Sequence, residues 1–172
     1  MKYACSFAMR AAVVVEKMHA GDVEAVAAIE GPTRMDASAL RGELERPWSR
    51  LWVAREHPAP DAVAYVVTWH VADELHVLNV ATRTDCRRRG IGRSLMDEVV
   101  GYARASNVKH VLLEVRRSNT AAIALYRGVG FFAMGVRARY YPDDEDAVEM
   151  VLMLDAETGA VVRHDDEVRL DG

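Results

Sequence analysis

The chain has 172 residues, of which 51% are hydrophobic and 28% are charged. This composition is typical of one globular domain with its own hydrophobic core, and it excludes intrinsic disorder, a collagen-like repeat and a disulfide scaffold. The 22 basic and 26 acidic side chains give a net charge of −4, which argues against binding to nucleic acid through overall positive charge.

The negative charge is concentrated at the C-terminal end of the chain. Residues 155–172 hold six acidic side chains and two arginines, which account for the whole net charge of −4. Because this segment contains few large apolar residues, we expect it to be an exposed, partly disordered acidic tail. We therefore predict a folded domain over residues 11–154, preceded by an N-terminal extension over residues 1–10.

The two cysteines and six histidines show no metal-binding pattern. Cys5 and Cys86 lie far apart without CxxC spacing, which is typical of free thiols in a reducing compartment. No apolar stretch reaches the roughly 18 residues of a membrane-spanning helix, and no signal-like apolar core is present near the start. We predict a cytoplasmic protein that has no metal, no nucleic-acid partner and no membrane partner.

The first part of the chain predicts a strand followed by two helices. Residues 11–18 are rich in valine and predict the strand, after which Asp22 can cap the first helix. Asp36 or Ser38 can begin the second helix, and Pro47 ends it.

The middle of the chain predicts three strands. Residues 51–55 have the composition of a strand. Residues 62–71 and 75–82 are two longer β-rich runs, and the short polar loop between them favours an antiparallel hairpin.

The second half of the chain predicts two helices and three further strands. Apolar side chains recur at every fourth position over residues 91–103, which predicts an amphipathic helix. Residues 111–115 predict a buried strand, and Asn119 can cap a second helix. Residues 131–141 and 147–154 are expected to form a closing antiparallel pair around an acidic turn. Such alternation of strands and helices is typical of a mixed α/β domain.

A turn rich in arginine and glycine precedes the helix at residues 91–103. Its glycines would let the backbone approach a ligand, and the unsatisfied amides of the first helical turn would bind a phosphate. A plain solvated turn with basic side chains is the structural alternative. A Walker loop is excluded because no lysine follows the second glycine, and a dinucleotide-binding fold is disfavoured because Leu95 stands where its third glycine is needed.

Two side chains in the second half of the chain could transfer protons. Glu114 lies within a run of apolar residues, so we expect it to be partly desolvated, as a general base working near neutral pH requires. An ion pair of Glu114 with Arg116 or Arg117 is the structural alternative. Tyr126 shares a helix face with apolar residues, which suits either a core aromatic or a proton donor.

These segments resemble the GNAT superfamily of N-acetyltransferases, and within it the bacterial ribosomal-protein alanine N-acetyltransferases. The resemblance rests on the Arg-x-x-Gly-x-Gly turn at residues 87–92 with the segment before it, on residues 113–126, and on the Arg-Tyr-Tyr-Pro sequence at residues 139–142. It covers residues 11–154. The implied fold is an α/β acyl-CoA N-acyltransferase fold, with a central, mostly antiparallel mixed sheet of about seven strands flanked by about four helices.

The resemblance also implies a chemistry. Acetyl-CoA would be the cosubstrate and no metal would take part. Glu114 would take a proton from the acceptor amine, and Tyr126 would protonate the departing CoA thiolate in a direct transfer. The implied cofactor contacts are Val80, Ala81, Thr82, Arg87, Arg88, Arg89, Gly90, Ile91, Gly92, Arg93, Ser94 and Asn119.

The implied acceptor is a protein N-terminal amine, with the N-terminal alanine of a ribosomal protein as the leading candidate and a monomer or weak dimer as the expected assembly. A small-molecule amine, another protein, and CoA binding without turnover are the alternatives. Residues 30–45 and the turn at residues 140–146 are expected to shape the acceptor site. The acidic side chains of that turn would attract a cationic N-terminus.

Overall fold

The computed structural model describes residues 12–29 and 35–170. The predictions for residues 1–10 and for Cys5 lie outside the described residues. No helix among the described residues is both long enough and apolar enough to cross a membrane.

The described part of the chain forms strands, four α-helices and two short 3₁₀ turns, at Ala20–Asp22 and Thr84–Cys86. In chain order the strands and helices are β1 (Val13–Lys17), α1 (Val23–Ala27), α2 (Ala37–Glu45), β2 (Ser49–Glu56), β3 (Ala62–Val71), β4 (Glu74–Thr82), α3 (Ile91–Ala105), β5 (His110–Arg116), α4 (Thr120–Val129), β6 (Phe132–Arg137), β7 (Ala147–Leu154) and β8 (Val161–Val162).

All of these strands belong to one sheet with eight strands. The order is β1-β2-β3-β4-β5-β7-β6, and the short β8 pairs with β7. Among these pairs, β4 and β5 run parallel and the others run antiparallel. The predicted α/β class with a mostly antiparallel mixed sheet is therefore confirmed, and β8 is the strand that the sequence analysis did not anticipate.

The helices cover the two faces of the sheet. On one face, α3 and α4 pack on a large apolar cluster that includes Trp52, Ala54 and Leu95. On the other face, α1 and α2 pack on a second cluster that includes Leu51 and Val53. The alternation of these neighbouring residues between the clusters follows from the two-residue period of a strand. The predicted apolar face of α3 is buried along its whole length.

Most of the capping residues predicted from the sequence cap their helices in the structure. The Asp36 side chain accepts a hydrogen bond from the backbone N–H of Ala39 (2.8 Å) and caps α2. The Asn119 side chain does the same for Ala122 (3.2 Å) and caps α4. Asp22 lies at the N-cap position of α1, as predicted, but its side chain makes no capping hydrogen bond to α1. It is the last residue of a 3₁₀ turn, and its carboxylate reaches back to the backbone N–H of His19 (2.9 Å).

The parallel pair β4–β5 separates part-way along its length. Backbone pairing joins Glu74–Val77 of β4 to residues 110–113 of β5 and then stops, although both strands continue. In the β3–β4 register, Leu78 has no partner between Val77 and Asn79, which defines a β-bulge that bends β4. The two strands therefore diverge beyond Val77, and the edge of β4 that faces β5 is left open there.

The segment after Leu154 packs against the domain. β8 pairs with the end of β7. Further along, the Asp166 carboxylate accepts a hydrogen bond from the backbone N–H of Ala133 (2.7 Å), and Glu167 donates its own N–H to the Ala133 carbonyl (2.8 Å). Val168 and Leu170 contact the larger apolar cluster.

Most residues of this segment are exposed, as the charge pattern predicted, but the segment packs on the domain, whereas the charge pattern suggested partial disorder. The physical reason is that Asp166 finds a backbone donor and an arginine, Arg127, on the domain. Net charge does not reveal such pairings.

Removing residues 155–172 is expected to destabilise the protein. The lost apolar contacts of Val161, Val168 and Leu170 are worth about 2 kcal/mol, which corresponds to a fall in Tm of about 4–8 °C for a chain of this length. Differential scanning calorimetry checks this, with the exposed tail substitution Glu157→Gln as the control. An unchanged Tm would show that the tail is a dispensable appendage.

Candidate active site

Two cavities meet where β4 and β5 diverge. The turn cavity, about 520 Å³, lies between β4, the start of α3 and α4. The cleft cavity, about 280 Å³, lies between the separated ends of β4 and β5. Both cavities are lined by Val80, Asn119 and Tyr126. A molecule lying along the open edge of β4 can therefore reach from one cavity into the other.

The turn before α3 offers a row of free backbone donors. The six amides of residues 88–93 have no acceptor among the described residues, and the first helical bond runs from Ser94 N–H to the Gly90 carbonyl (3.0 Å). Gly90 has a φ of +87°, a conformation that suits glycine. Free amides at the start of a helix form a favourable site for an anion such as phosphate.

Gly92 has a packing role in addition to its place in the turn. A Cβ at this position would lie 3.2 Å from Cδ2 of Leu125 on α4, closer than ordinary van der Waals contact. The missing side chain thus lets the start of α3 approach α4, which narrows the turn cavity. The sequence analysis explained both glycines by approach to a ligand, and the structure adds helix packing as the constraint on Gly92.

The arginines of the turn divide into two groups. Arg89 pairs with Glu56 (2.9 Å) and does not line the turn cavity. Arg93 lines the cavity, but its guanidinium pairs with Asp97 (2.8 Å). Ser94 also lies outside the cavity lining, and its hydroxyl faces the Gly90 carbonyl.

Arg87 and Arg88 both line the turn cavity. Neither forms an ion pair with any carboxylate in the described part of the chain, although Arg87 Nε donates to the Thr82 carbonyl (3.1 Å). The positive charge available to a ligand is therefore that of Arg87 and Arg88.

Tyr126 is both a core aromatic and a cavity residue. Its side chain packs against Phe131, and the residue is 7% exposed. Burial raises the pKa of Tyr126 to about 12. The phenol therefore keeps its proton at neutral pH, as a proton donor must.

Glu114 lies in the cleft cavity, but its ion-pair partner differs from the predicted ones. The side chain points away from the buried face of β5 but retains only 34% exposure, so it is partly removed from solvent, as expected. Its Oε1 is 2.9 Å from Nη1 of Arg137, and its Oε2 accepts a hydrogen bond from the Tyr140 hydroxyl (2.8 Å). The alternative of an ion pair with Arg116 or Arg117 is wrong, since both arginines pair with the acidic turn.

The acidic turn is partly neutralised by the chain's own arginines. Arg116 pairs with Asp143 (2.9 Å) and Glu145 (2.6 Å), and Arg117 pairs with Asp146 (3.4 Å). Two arginines against the four carboxylates of residues 143–146 leave the turn net negative, so its attraction for a cationic acceptor stays a prediction. The pairing also fixes the turn against the end of β5, where Tyr140 and Tyr141 line the cleft cavity.

Sequence reasoning missed several residues of the site. Arg137, which contacts Glu114, carries no motif or periodicity that would have singled it out. Cys86, judged an inert thiol, is buried and lines the turn cavity, and burial raises the pKa of its thiol. Of the segment expected to shape the acceptor site, residues 30–34 lie outside the described residues.

Within residues 12–29 and 35–170, no group of three His, Cys, Asp or Glu side chains could hold a metal ion.

Comparison with known proteins identifies the family. The model of the acetyltransferase (GNAT) family matches residues 18–131. The chain belongs to the GNAT family. A ribosomal protein bS18-alanine N-acetyltransferase of Salmonella typhimurium is 41% identical over 92 residues, which cover 52% of this chain and 62% of that protein. The match thus spans less than two thirds of that relative's length.

Further similarities support the GNAT fold. The N-alpha-acetyltransferase RimI of Mycobacterium tuberculosis is 55% identical over 53 residues, or 31% of this chain and 32% of that protein. The crystal structure of the ribosomal-protein-S18-alanine N-acetyltransferase from Escherichia coli has a TM-score of 0.76 at 28% identity and covers 86% of this GNAT chain and 98% of its own. Arabidopsis thaliana NAA60 in complex with acetyl-CoA shares the fold, with a TM-score of 0.75 at 18% identity over 83% of this chain and 98% of its own.

Glu145 gives this site a pH-dependent contribution to stability. Hydrogen bonds from Ser118 and Arg116 lower the pKa of Glu145 from 4.5 to about 2. A carboxylate with a lowered folded-state pKa stabilises the protein above its unfolded-state value and loses this contribution as the pH falls towards the folded-state value.

Glu145→Gln is therefore expected to be less stable than the wild type at neutral pH, and the difference should shrink as the pH falls below about 4.5. Urea unfolding across this pH range measures the difference. Asp144→Asn, an exposed substitution in the same turn, is the control. A difference that stays constant down to about pH 3 would contradict the assignment.

Proposed function

We propose that this GNAT protein is an acetyl-CoA-dependent N-acetyltransferase that modifies the α-amine of a protein N-terminus. The leading acceptor is the N-terminal alanine of a ribosomal protein, for which the cytoplasm is the place of action. The observation that carries the proposal is the meeting of the two cavities at Tyr126, with an anion-binding turn on one side and Glu114 on the other.

The turn cavity fits CoA in its chemistry. The free amides of residues 88–93, together with the unpaired charges of Arg87 and Arg88, suit the pyrophosphate. The open edge of β4 at residues 80–82 offers backbone groups to the amides of the pantetheine arm, as an added strand would use them. When bound, acetyl-CoA supplies the thioester whose acetyl group is transferred.

The two proton-transfer residues then have complementary roles. The Glu114 carboxylate accepts a proton from the acceptor's ammonium, and the neutral amine forms a bond to the acetyl carbonyl carbon. The C–S bond breaks as the tetrahedral intermediate collapses, and Tyr126 donates its phenolic proton to the CoA thiolate. The former amine nitrogen releases its second proton to solvent, and solvent returns a proton to Tyr126 and takes the one held by Glu114. With a pKa of about 12, the Tyr126 phenol is protonated at neutral pH before each turnover.

An N-terminal α-amine suits this base better than a lysine does. In unstructured peptides the pKa is about 7.7–8.0 for an α-amine and about 10.4 for lysine, so presenting a neutral lysine costs roughly 3.5 kcal/mol more. A carboxylate is in general a weaker base than either amine, and Glu114 already accepts a hydrogen bond from Tyr140 and pairs with Arg137. The names of the relatives from Salmonella typhimurium and Escherichia coli support alanine as the terminal residue.

Acceptor profiling tests the proposal. A peptide with a free N-terminal alanine is expected to be acetylated, whereas the same peptide with a blocked terminus and an internal lysine is not. Release of free CoA thiol and the peptide mass are the readouts, and a polyamine is included as a small-molecule acceptor. Faster turnover of the lysine peptide or the polyamine would contradict the α-amine assignment. Stabilisation by CoA without thiol release from any amine would indicate a non-catalytic CoA sensor.

Substitution of the two proton-transfer residues tests the mechanism. Glu114→Gln and Tyr126→Phe are each expected to lower kcat by about 10²–10⁴-fold, the usual effect of a positioned acid or base. The Kd for CoA should remain nearly unchanged, since neither side chain is needed for the phosphate contacts. Asp73→Asn, which breaks an exposed ion pair with Lys109 away from both cavities, is the control. Wild-type kcat in both variants would rule out these roles.

A further inference from the structure

Two carboxylates share one arginine beside the cleft cavity. Glu114 on β5 and Glu149 on β7 are directly opposite each other across the strand pair. Arg137 on β6 contacts both, with Nη1 2.9 Å from Glu114 Oε1 and Nε 2.7 Å from Glu149 Oε1. No second basic side chain reaches either carboxylate in the described part of the chain. The cluster is therefore one positive charge short of neutrality, and like charges placed opposite each other in a sheet repel.

The position of Glu149 depends on a glycine. Glu149 is opposite Gly135 in the β6–β7 register. A Cβ at Gly135 would lie 2.7 Å from Oε2 of Glu149, a distance that real Cβ atoms do not show. The carboxylate thus rests against the bare backbone of β6, beside Arg137.

Arg137 has the room and the donors to change partners. Its side chain is 51% exposed. It borders a third cavity of about 150 Å³, which is also lined by Glu114, Glu149 and Met134. A guanidinium carries five N–H donors and can hold one carboxylate through two of them. Arg137 therefore has donors enough to place both of its contacts on Glu149.

We propose that Arg137 is a positioning residue that occupies Glu114 until the acceptor binds, and that Glu149 is the carboxylate to which it then moves. The acceptor's ammonium takes the place of Nη1 at Glu114 Oε1, and the cluster then holds two positive and two negative charges. The hydrogen bond from Tyr140 to Oε2 keeps the Glu114 carboxylate in orientation during the exchange. This inference rests on the proposed N-acetyltransferase function.

If Arg137 moves from Glu114 to Glu149 when the acceptor binds, loss of Glu149 should weaken acceptor binding. A purely structural ion pair would not have this effect. In Glu149→Gln, Arg137 loses its second carboxylate and competes with the acceptor for Glu114. The KM for the acceptor peptide is therefore expected to rise about fivefold, the scale of a partly exposed ion pair. The KM for acetyl-CoA should stay at the wild-type value, because the turn cavity is untouched.

A double substitution distinguishes competition between Arg137 and the acceptor for Glu114 from a loss of structural stability in the sheet. Arg137→Gln removes the competitor, so this variant alone should not raise the acceptor KM, and Glu149→Gln/Arg137→Gln should return it towards the wild-type value. If Arg137 and Glu149 only stabilise the sheet, the double variant is instead at least as impaired as Glu149→Gln. Tm values of all three variants verify that each protein is folded.

Glu16→Gln provides a matched control. Arg55 also bridges two carboxylates, Glu16 and Asp22, but on the β1–β2 side of the sheet. Breaking one of these contacts should leave both KM values unchanged.

The outcomes are distinct. A wild-type acceptor KM in Glu149→Gln, or a double variant that is not rescued, overturns the exchange while leaving the proposed function intact. A wild-type protein that acetylates no N-terminal amine overturns the proposed function and this inference with it.

Discussion

The site depends on the early end of pairing between β4 and β5. Backbone groups within a sheet need hydrogen-bond partners, and the bulge at Leu78 withdraws β4 from β5 while both strands are still extended. The resulting gap gives β4 an edge without a strand partner, next to the free amides that precede α3. Both cavities, and the position of Tyr126 between them, follow from this one divergence.

The two sides of the gap between β4 and β5 carry charges of opposite sign. The turn side combines free amides with Arg87 and Arg88, which have no carboxylate partner among the described residues. The opposite side presents Glu114 in a cluster with an excess negative charge, and the nearby acidic turn stays net negative after pairing with Arg116 and Arg117. We therefore expect an anionic cofactor and a cationic acceptor to bind on opposite sides of Tyr126. The net charge of −4 conceals this separation.

Local patterns in the sequence predicted the parts of the fold that local forces decide. The cap at Asn119 and the apolar face of α3 depend on spacing within one helix, and both are present as expected. The contact of Glu114 with Arg137 joins residues that only the order β5-β7-β6 brings together, so no periodicity marks it. The packing of the mostly exposed tail on the domain was not predicted for the same reason, since the partners of Asp166 lie on β6 and α4, far away in the sequence.

We expect a CoA molecule to bind along the open edge of β4 and the turn before α3. Amide hydrogen exchange with and without acetyl-CoA measures this directly, because amides that gain an acceptor exchange more slowly. Exchange in residues 79–82 and 88–93 should be slower when acetyl-CoA is bound. Unchanged exchange in both segments at saturating acetyl-CoA would contradict it.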